Sequence, residues 1–237
     1  MVVEILFQEV CGLYGDSQNA TYLQACLPDA EFIFTKLTDT PHFVDNTPQM
    51  IYVGCMSEAI QRRVIAKLMP YKERLLQLVE EGVVILATGN AGEIFSKQIN
   101  YITENCTVDA LGIFDLTVKT DLFNRYNGIV LGNFESIAIT GFRSQFSFLY
   151  GDNSKYSFVT CEQGIGINPN SKYEGMRKNN LFCTQLLGPI LPLNPLFCEY
   201  LLRLCGSDAT AAYRKEAMAA YEQRLEEFRA PKKSSHH

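Results

Sequence analysis

Residues 83–96 read VVILATGNAGEIFS. Val83 to Ala87 is an unbroken apolar run, the length of a buried strand. Thr88, Gly89 and Asn90 make a tight polar turn, and Ala91 onward has the composition of a helix start, predicting a helix to about Glu104. A strand, a sharp turn and a helix form the elbow on which many hydrolases raise a nucleophile above the end of a sheet. This elbow holds Gly, Asn and Ala, with no Ser or Cys.

The segments around it set the elbow in a sheet. Val2–Val10, Glu31–Thr35 and Met50–Val53 read as strands, the last ending at Gly54-Cys55. Helical spacing falls at 19–27, at 57–68 behind the N-cap candidate Ser57, and at 71–81, where Gly82 stops it. Strands alternating with helices predict an α/β fold of three layers, a mostly parallel sheet flanked by helices. Ligands in such sheets bind beyond the strand C-termini, where Gly54-Cys55 and Thr88-Gly89-Asn90 would lie side by side. The second half differs. Short strand-like runs at 112–119, 128–134, 136–140, 146–150 and 158–161 predict an antiparallel section. Residues 168–180 read as a surface loop, 180–187 as a strand, 196–204 as a helix and 208–228 as a long amphipathic helix. The expected organisation is one domain over 1–206, a C-terminal helix packed on it over 207–231, and a tail, 232–237, whose SSHH has the form of a tag remnant.

Composition narrows the chemistry. The 237 residues are 47% hydrophobic, enough for a sizeable core, with a net charge of −5. No basic stripe suits nucleic acid, and no apolar run reaches bilayer length. The N-terminus lacks the features of a signal peptide, so a cytoplasmic location is expected. Eight scattered cysteines include no CxxC pair; they predict buried reduced thiols, with no metal site and no cofactor. His236 and His237 end the chain, leaving His42 as the one internal histidine, in a Pro-punctuated segment that reads as a loop. A mechanism with a histidine base must use it or do without.

Several motifs stand in one order. They are Leu13-Tyr14-Gly15-Asp16 with Asn19, Leu111 to Asp115 (LGIFD), Gly132-Asn133, Gly141-Phe142, Glu174-Gly175, and Thr184 with Gly188-Pro189, Leu191-Pro192 and Asn194-Pro195. Together they resemble the class I (triad) glutamine amidotransferase-like family of the cobyric acid synthase type, whose fold is flavodoxin-like. Within it they are most similar to the glutaminase subunits of lipid II isoglutaminyl synthases, which serve cell-wall amidation. The resemblance spans about Leu13 to Cys205 and implies where the family's chemistry would stand. The nucleophilic Cys position falls on Gly89, the base His on Leu187, and a second motif His on Gln145. The oxyanion-hole strand end falls on Val53-Gly54-Cys55.

A thiolate and an imidazole are both needed to hydrolyse the glutamine amide. With Gly89 and Leu187 in their places, the expectation is a degenerate, non-catalytic member acting by binding. One form docks on a Mur ligase-like amide-forming subunit. The other holds a glutamine-like small ligand at Gly54, Cys55, Thr88, Gly89, Asn90 and Gln145. Two alternatives stay open. One is an active glutaminase supplying ammonia to a Mur ligase-like partner. The other is altered chemistry through Thr88, Cys55 or Glu93, although Thr88 also suits a turn cap, Cys55 a packing role, and Glu93 the first turn of a helix.

Overall fold

A computed structural model describes residues 1–230. The reading of 232–237 as a tail with a tag remnant lies outside the described residues. The first half alternates as its pattern predicts: β1 (Val2–Leu6), α1 (Gln18–Cys26), β2 (Glu31–Thr35), β3 (Met50–Val53), α2 (Glu58–Leu68), α3 (Lys72–Glu80) and β4 (Val84–Thr88), with β1 ending at Leu6 rather than Val10 because Phe7 turns the chain at φ +56. Ser57 caps α2, its side chain accepting from the Ile60 N–H, and Gly82 ends α3 with φ +82.

The second half supplies β5 (Gln98–Tyr101), β6 (Cys106–Asp109), β7 (Thr117–Thr120), β8 (Tyr126–Phe134), β9 (Ile137–Gln145) and β10 (Ser147–Tyr150). It continues with β11 (Val159–Gln163), β12 (Tyr173–Glu174), β13 (Met176–Lys178) and β14 (Leu181–Thr184). The helices α4 (Ile190–Leu193), α5 (Pro195–Leu204) and α6 (Arg214–Arg229) follow.

The main sheet has the order β2-β1-β3-β4-β14-β13 and is parallel except for the edge strand β13. Side chains alternate across it. Ile51, Val53, Ile85 and Ala87 face one core with Val64 and Leu78 from α2 and α3. Met50, Tyr52, Val84 and Leu86 face the other, with Leu23 of α1 and Phe197 and Leu201 of α5. That alternation gives the three layers. The antiparallel section consists of two four-stranded sheets, β12-β11-β8-β9 and β10-β7-β5-β6, the second with one parallel pair, β5 with β7.

Four expectations are corrected. No α-helix follows the elbow: Gly89–Phe95 is a 3-10 segment and Gln98–Tyr101 is β5. Ile99 and Tyr101 bury alternate positions in a sheet, and that period of two overrides the helical composition. Within 112–119 only the end is strand, because Gly112 turns the chain at φ +68. Residues 168–180 are no plain surface loop. They carry β12 and β13, and Glu174 is fully buried. The C-terminal helix starts at Arg214, after Tyr213 at φ +52, rather than at Asp208.

Helix α6 is held through buried Tyr221, whose hydroxyl donates to Ala138 O at 2.7 Å, and through Arg224, which donates to Leu193 O at 2.9 Å. Among the described residues no helix is long and apolar enough to cross a membrane.

Candidate functional site

The strand order turns about β1 and β3, and the site forms beyond their C-terminal ends. Its floor is a buried polar knot. Asp16 accepts from the Cys55 N–H at 2.7 Å, from Thr88 Oγ1 at 2.5 Å and from Asn19 Nδ2 at 2.8 Å. The Tyr52 hydroxyl donates to Asp16 O at 2.9 Å and lies 3.1 Å from Thr88 Oγ1. Burial nevertheless pushes the Asp16 carboxyl above its ordinary range. The knot ties the loop before α1 to the ends of β3 and β4, which explains the pairing of Asp16 with Asn19 in the sequence.

Above this floor the chain turns at Gly89, with φ +58, a left-handed conformation that glycine adopts without steric cost. A Cβ built there would lie 2.7 Å from Cys55 Cβ, 2.8 Å from Cys55 Sγ and 2.9 Å from Leu187 Cδ2. Any side chain at position 89 therefore displaces Cys55 or Leu187. Leu187 is fixed by a two-sided backbone bridge to Phe142. The Cys55 thiol is pushed up to about 12, first by burial and then by the negative charge of Asp16. It stays protonated at neutral pH.

A cavity of about 80 Å³ opens beside the elbow, well below the roughly 300–1,000 Å³ of ordinary small-molecule sites. Leu13, Cys55, Met56 and Leu187 supply its apolar lining; Glu58, Asn90, Glu93, Gln145 and Gln185 supply its polar lining. The polar lining is tightly hydrogen-bonded. Glu93 accepts from Gln61 Nε2 at 2.9 Å, from Gln185 Nε2 at 3.0 Å and from Ser147 Oγ. Burial outweighs those three donors and raises its carboxyl to about 7.

Behind it lies Arg143, fully buried, donating to Gln145 Oε1 at 2.8 Å, to Ile165 O at 2.9 Å, and to Gly166 O and Gln185 Oε1. Burial lowers its guanidinium's pKa, and the charge of Glu174 opposes that shift. Glu174 itself takes the Gln185 N–H at 2.8 Å and Thr184 Oγ1 at 2.9 Å. Asn90 mimics a strand partner, exchanging two hydrogen bonds with the Met56 backbone at 2.7 and 2.9 Å. At the mouth the Arg125 guanidinium lies 5.3 Å from the Phe146 ring centroid and 5.9 Å from that of Tyr14, and bonds Ser144 Oγ and the Tyr14 hydroxyl.

Of the residues singled out in the sequence, Cys55, Gly89, Asn90, Gln145 and Leu187 line the cavity. Gly54 and Thr88 lie beneath it in the Asp16 knot. His42 stands elsewhere, its N–H donating to the buried Glu4 of β1 at 2.7 Å. Glu93 is corrected from a helix-start acid to the centre of the buried network, since no helix follows the elbow. Arg125, Arg143 and Gln185 escape a sequence reading. Each is an ordinary polar residue until distant segments are brought together.

The reading of eight buried thiols holds for six cysteines. Cys106 is exposed and Cys161 half-buried. No group of three metal-ligating side chains occurs among the described residues.

Two solved structures share this architecture. One is a glutamine amidotransferase, at TM-score 0.55 and 15% identity over 87% of this chain and 100% of that one. The other is a glutamine amidotransferase from Thermotoga maritima, at 0.51 and 9% over 95% and 96%. The fold is therefore that of the glutamine amidotransferases. No protein-family model matches the chain. It is 30% identical over 194 residues to the lipid II isoglutaminyl synthase (glutamine-hydrolyzing) subunit GatD of Staphylococcus aureus (strain N315), covering 80% of this chain and 78% of that protein. The chain belongs to the GatD family of glutamine amidotransferase-like proteins.

Proposed function

We propose that this member of the family no longer hydrolyses glutamine and acts by binding. The space beside Gly89 carries the reading. On the motif alignment Gly89 stands at the nucleophile's position and Leu187 at the base's. Cys55 and Leu187 fill the volume that a nucleophilic side chain would need. Cys55 is a poor substitute, because burial and neighbouring carboxylates hold its proton. Losing both members of such a pair removes several orders of magnitude of rate.

The binding role has two parts. GatD is by name a subunit of a synthase, and by the same logic this chain docks on a Mur ligase-like amide-forming protein. Exposed Leu13 and Tyr14 of the cavity lining, with exposed Phe142 bridged to Leu187, supply apolar surface for it. The mouth also suits the head of a glutamine-like amino acid, with the Arg125 guanidinium for a carboxylate and the Glu58 carboxylate for an amine.

The second reading is an active glutaminase supplying ammonia, favoured by the 30% identity to a glutamine-hydrolyzing subunit. Ammonia release from glutamine, measured for the purified chain alone and with its candidate ligase, separates the two. The expected result is no release above a no-protein blank, with glutamine binding still detectable by calorimetry. Sustained turnover abolished by Cys55→Ser would overturn the proposal in favour of an active enzyme.

A further inference from the structure

Cys26, the last residue of α1, and Cys198 of α5 bring their sulfurs to 3.9 Å across the second core. They are separated by 172 positions in sequence, so only the fold makes them neighbours. Among the described residues no other pair of thiols is in such contact. The two sulfurs are unequal. Cys26 Sγ also accepts the Ala212 N–H at 3.2 Å, so it has two donors to stabilise negative charge. The Cys198 thiol and that N–H lower the Cys26 pKa against the opposing effect of burial, while Cys198 is raised. Both are buried, Cys198 completely and Cys26 to within 5%. One sulfur is thus poised to react, and the other to resolve the product.

We propose that Cys26 and Cys198 form a reversible intramolecular disulfide when the protein meets a small peroxide, bracing α1 against α5. The Cys26 thiolate attacks one oxygen of hydrogen peroxide, breaking the O–O bond and expelling hydroxide, which takes up a proton as the first water. Cys198 then attacks the resulting sulfenic sulfur and expels its hydroxyl, which leaves with the Cys198 proton as a second water. Two thiols lose two electrons and one peroxide gains them. A low-molecular-weight dithiol reverses the bond by exchange.

The bond would alter more than two helices. The segment joining α5 to α6 is pinned here by the Tyr22 hydroxyl on Ala212 O at 2.8 Å, the Ala211 N–H on Glu199 at 3.2 Å, and the Ala212 N–H on Cys26. A disulfide at Cys26 replaces the sulfur group that takes the Ala212 N–H, so oxidation alters one of these three pins while fixing the helices beneath.

The test uses the full chain with Cys106→Ser, which removes the exposed thiol. It is treated with hydrogen peroxide, alkylated under denaturing conditions and mapped by peptide mass spectrometry. The expected product is a Cys26–Cys198 cross-linked peptide, lost on treatment with dithiothreitol, with a thermal midpoint about 5 °C above that of the reduced protein. Cys198→Ser should leave a sulfenic acid on Cys26 that dimedone traps; the cross-link in the parent stands as the test if that variant does not fold. Recovery of both cysteines as free thiols, at peroxide levels that fully oxidise Cys106 in the unsubstituted chain, would overturn the proposal. So would over-oxidation of Cys26 without a cross-link.

Discussion

The apolar and polar linings of the cavity are built on opposite principles. Around Gly89 the contacts are apolar and the space is full: Cys55 and Leu187 close over a turn with no side chain of its own. Behind it, Glu93, Gln185, Arg143 and Glu174 form a buried charged network: the Gln185 side chain links Glu93 to Arg143, and its backbone N–H reaches Glu174. The apolar lining can change residue type at modest cost, because packing asks only for volume. The network cannot, since removing one member strands a buried charge or donor. The difference explains how a fold can lose a reacting centre and keep the wall behind it.

Replacing Arg143 attacks the network hardest. Arg143→Met leaves Gln185, Gln145 and two backbone carbonyls without their donor, and Glu174 without its counter-charge. The expected loss is about 3–5 kcal/mol in a urea titration. An effect below about 1 kcal/mol would show that the wall is no more constrained than the plug.

Gly89→Cys tests the plug. It meets a positive φ and two crowded neighbours, and should cost about 2–4 kcal/mol. Adding Cys55→Gly should recover at least half of that loss, because Cys55 supplies the nearest two atoms. Strictly additive effects in this double-mutant cycle would contradict the packing argument.

Glu93→Gln has a smaller, pH-dependent consequence. The folded protein holds this proton up to about pH 7, whereas an unfolded chain releases it near 4.5. Between those values the unfolded state binds fewer protons, so stability falls as pH rises, by at most about 3 kcal/mol from this group. The substitution should flatten that slope in thermal melts at pH 5 to 8. It should also lower stability by about 1–3 kcal/mol at pH 5, because an amide nitrogen would face donors.

The smallest expected effect on stability is at the mouth. Arg125→Ala should change stability by less than about 0.5 kcal/mol while weakening glutamine binding about tenfold. Unchanged binding by calorimetry would remove the mouth from the proposed ligand site.

The sequence made the first half of the fold readable because its signals are local. Strand period, the Ser57 cap and the Gly82 stop each act within a few residues. The elbow was readable for the same reason. The segment after it was not, because a 3-10 turn and a helix start share their composition, and the alternation of Ile99 and Tyr101 matters only once neighbouring strands exist. Glu93 obeyed a local rule, an acid near a helix start, that a contact with Ser147 overrode. Glu174, set among Asn, Gly and Lys, looked solvated until Thr184 and the Gln185 N–H reached it. The filling of the Gly89 space by Cys55 is a contact between neighbouring strands, invisible to any local window.

The pairing of β4 with β14 has a consequence for how the protein is made. Leu181 joins Ile85 in the finished sheet, so β4 emerges during synthesis about a hundred residues before its outer neighbour. Until then its flank is an open apolar template. Helices α2 and α3 can cover one face early, but the edge must wait. The elbow and its cavity therefore take shape late in biogenesis, and a nascent chain stalled before residue 181 would expose the strand that precedes the elbow to any other unpaired edge nearby.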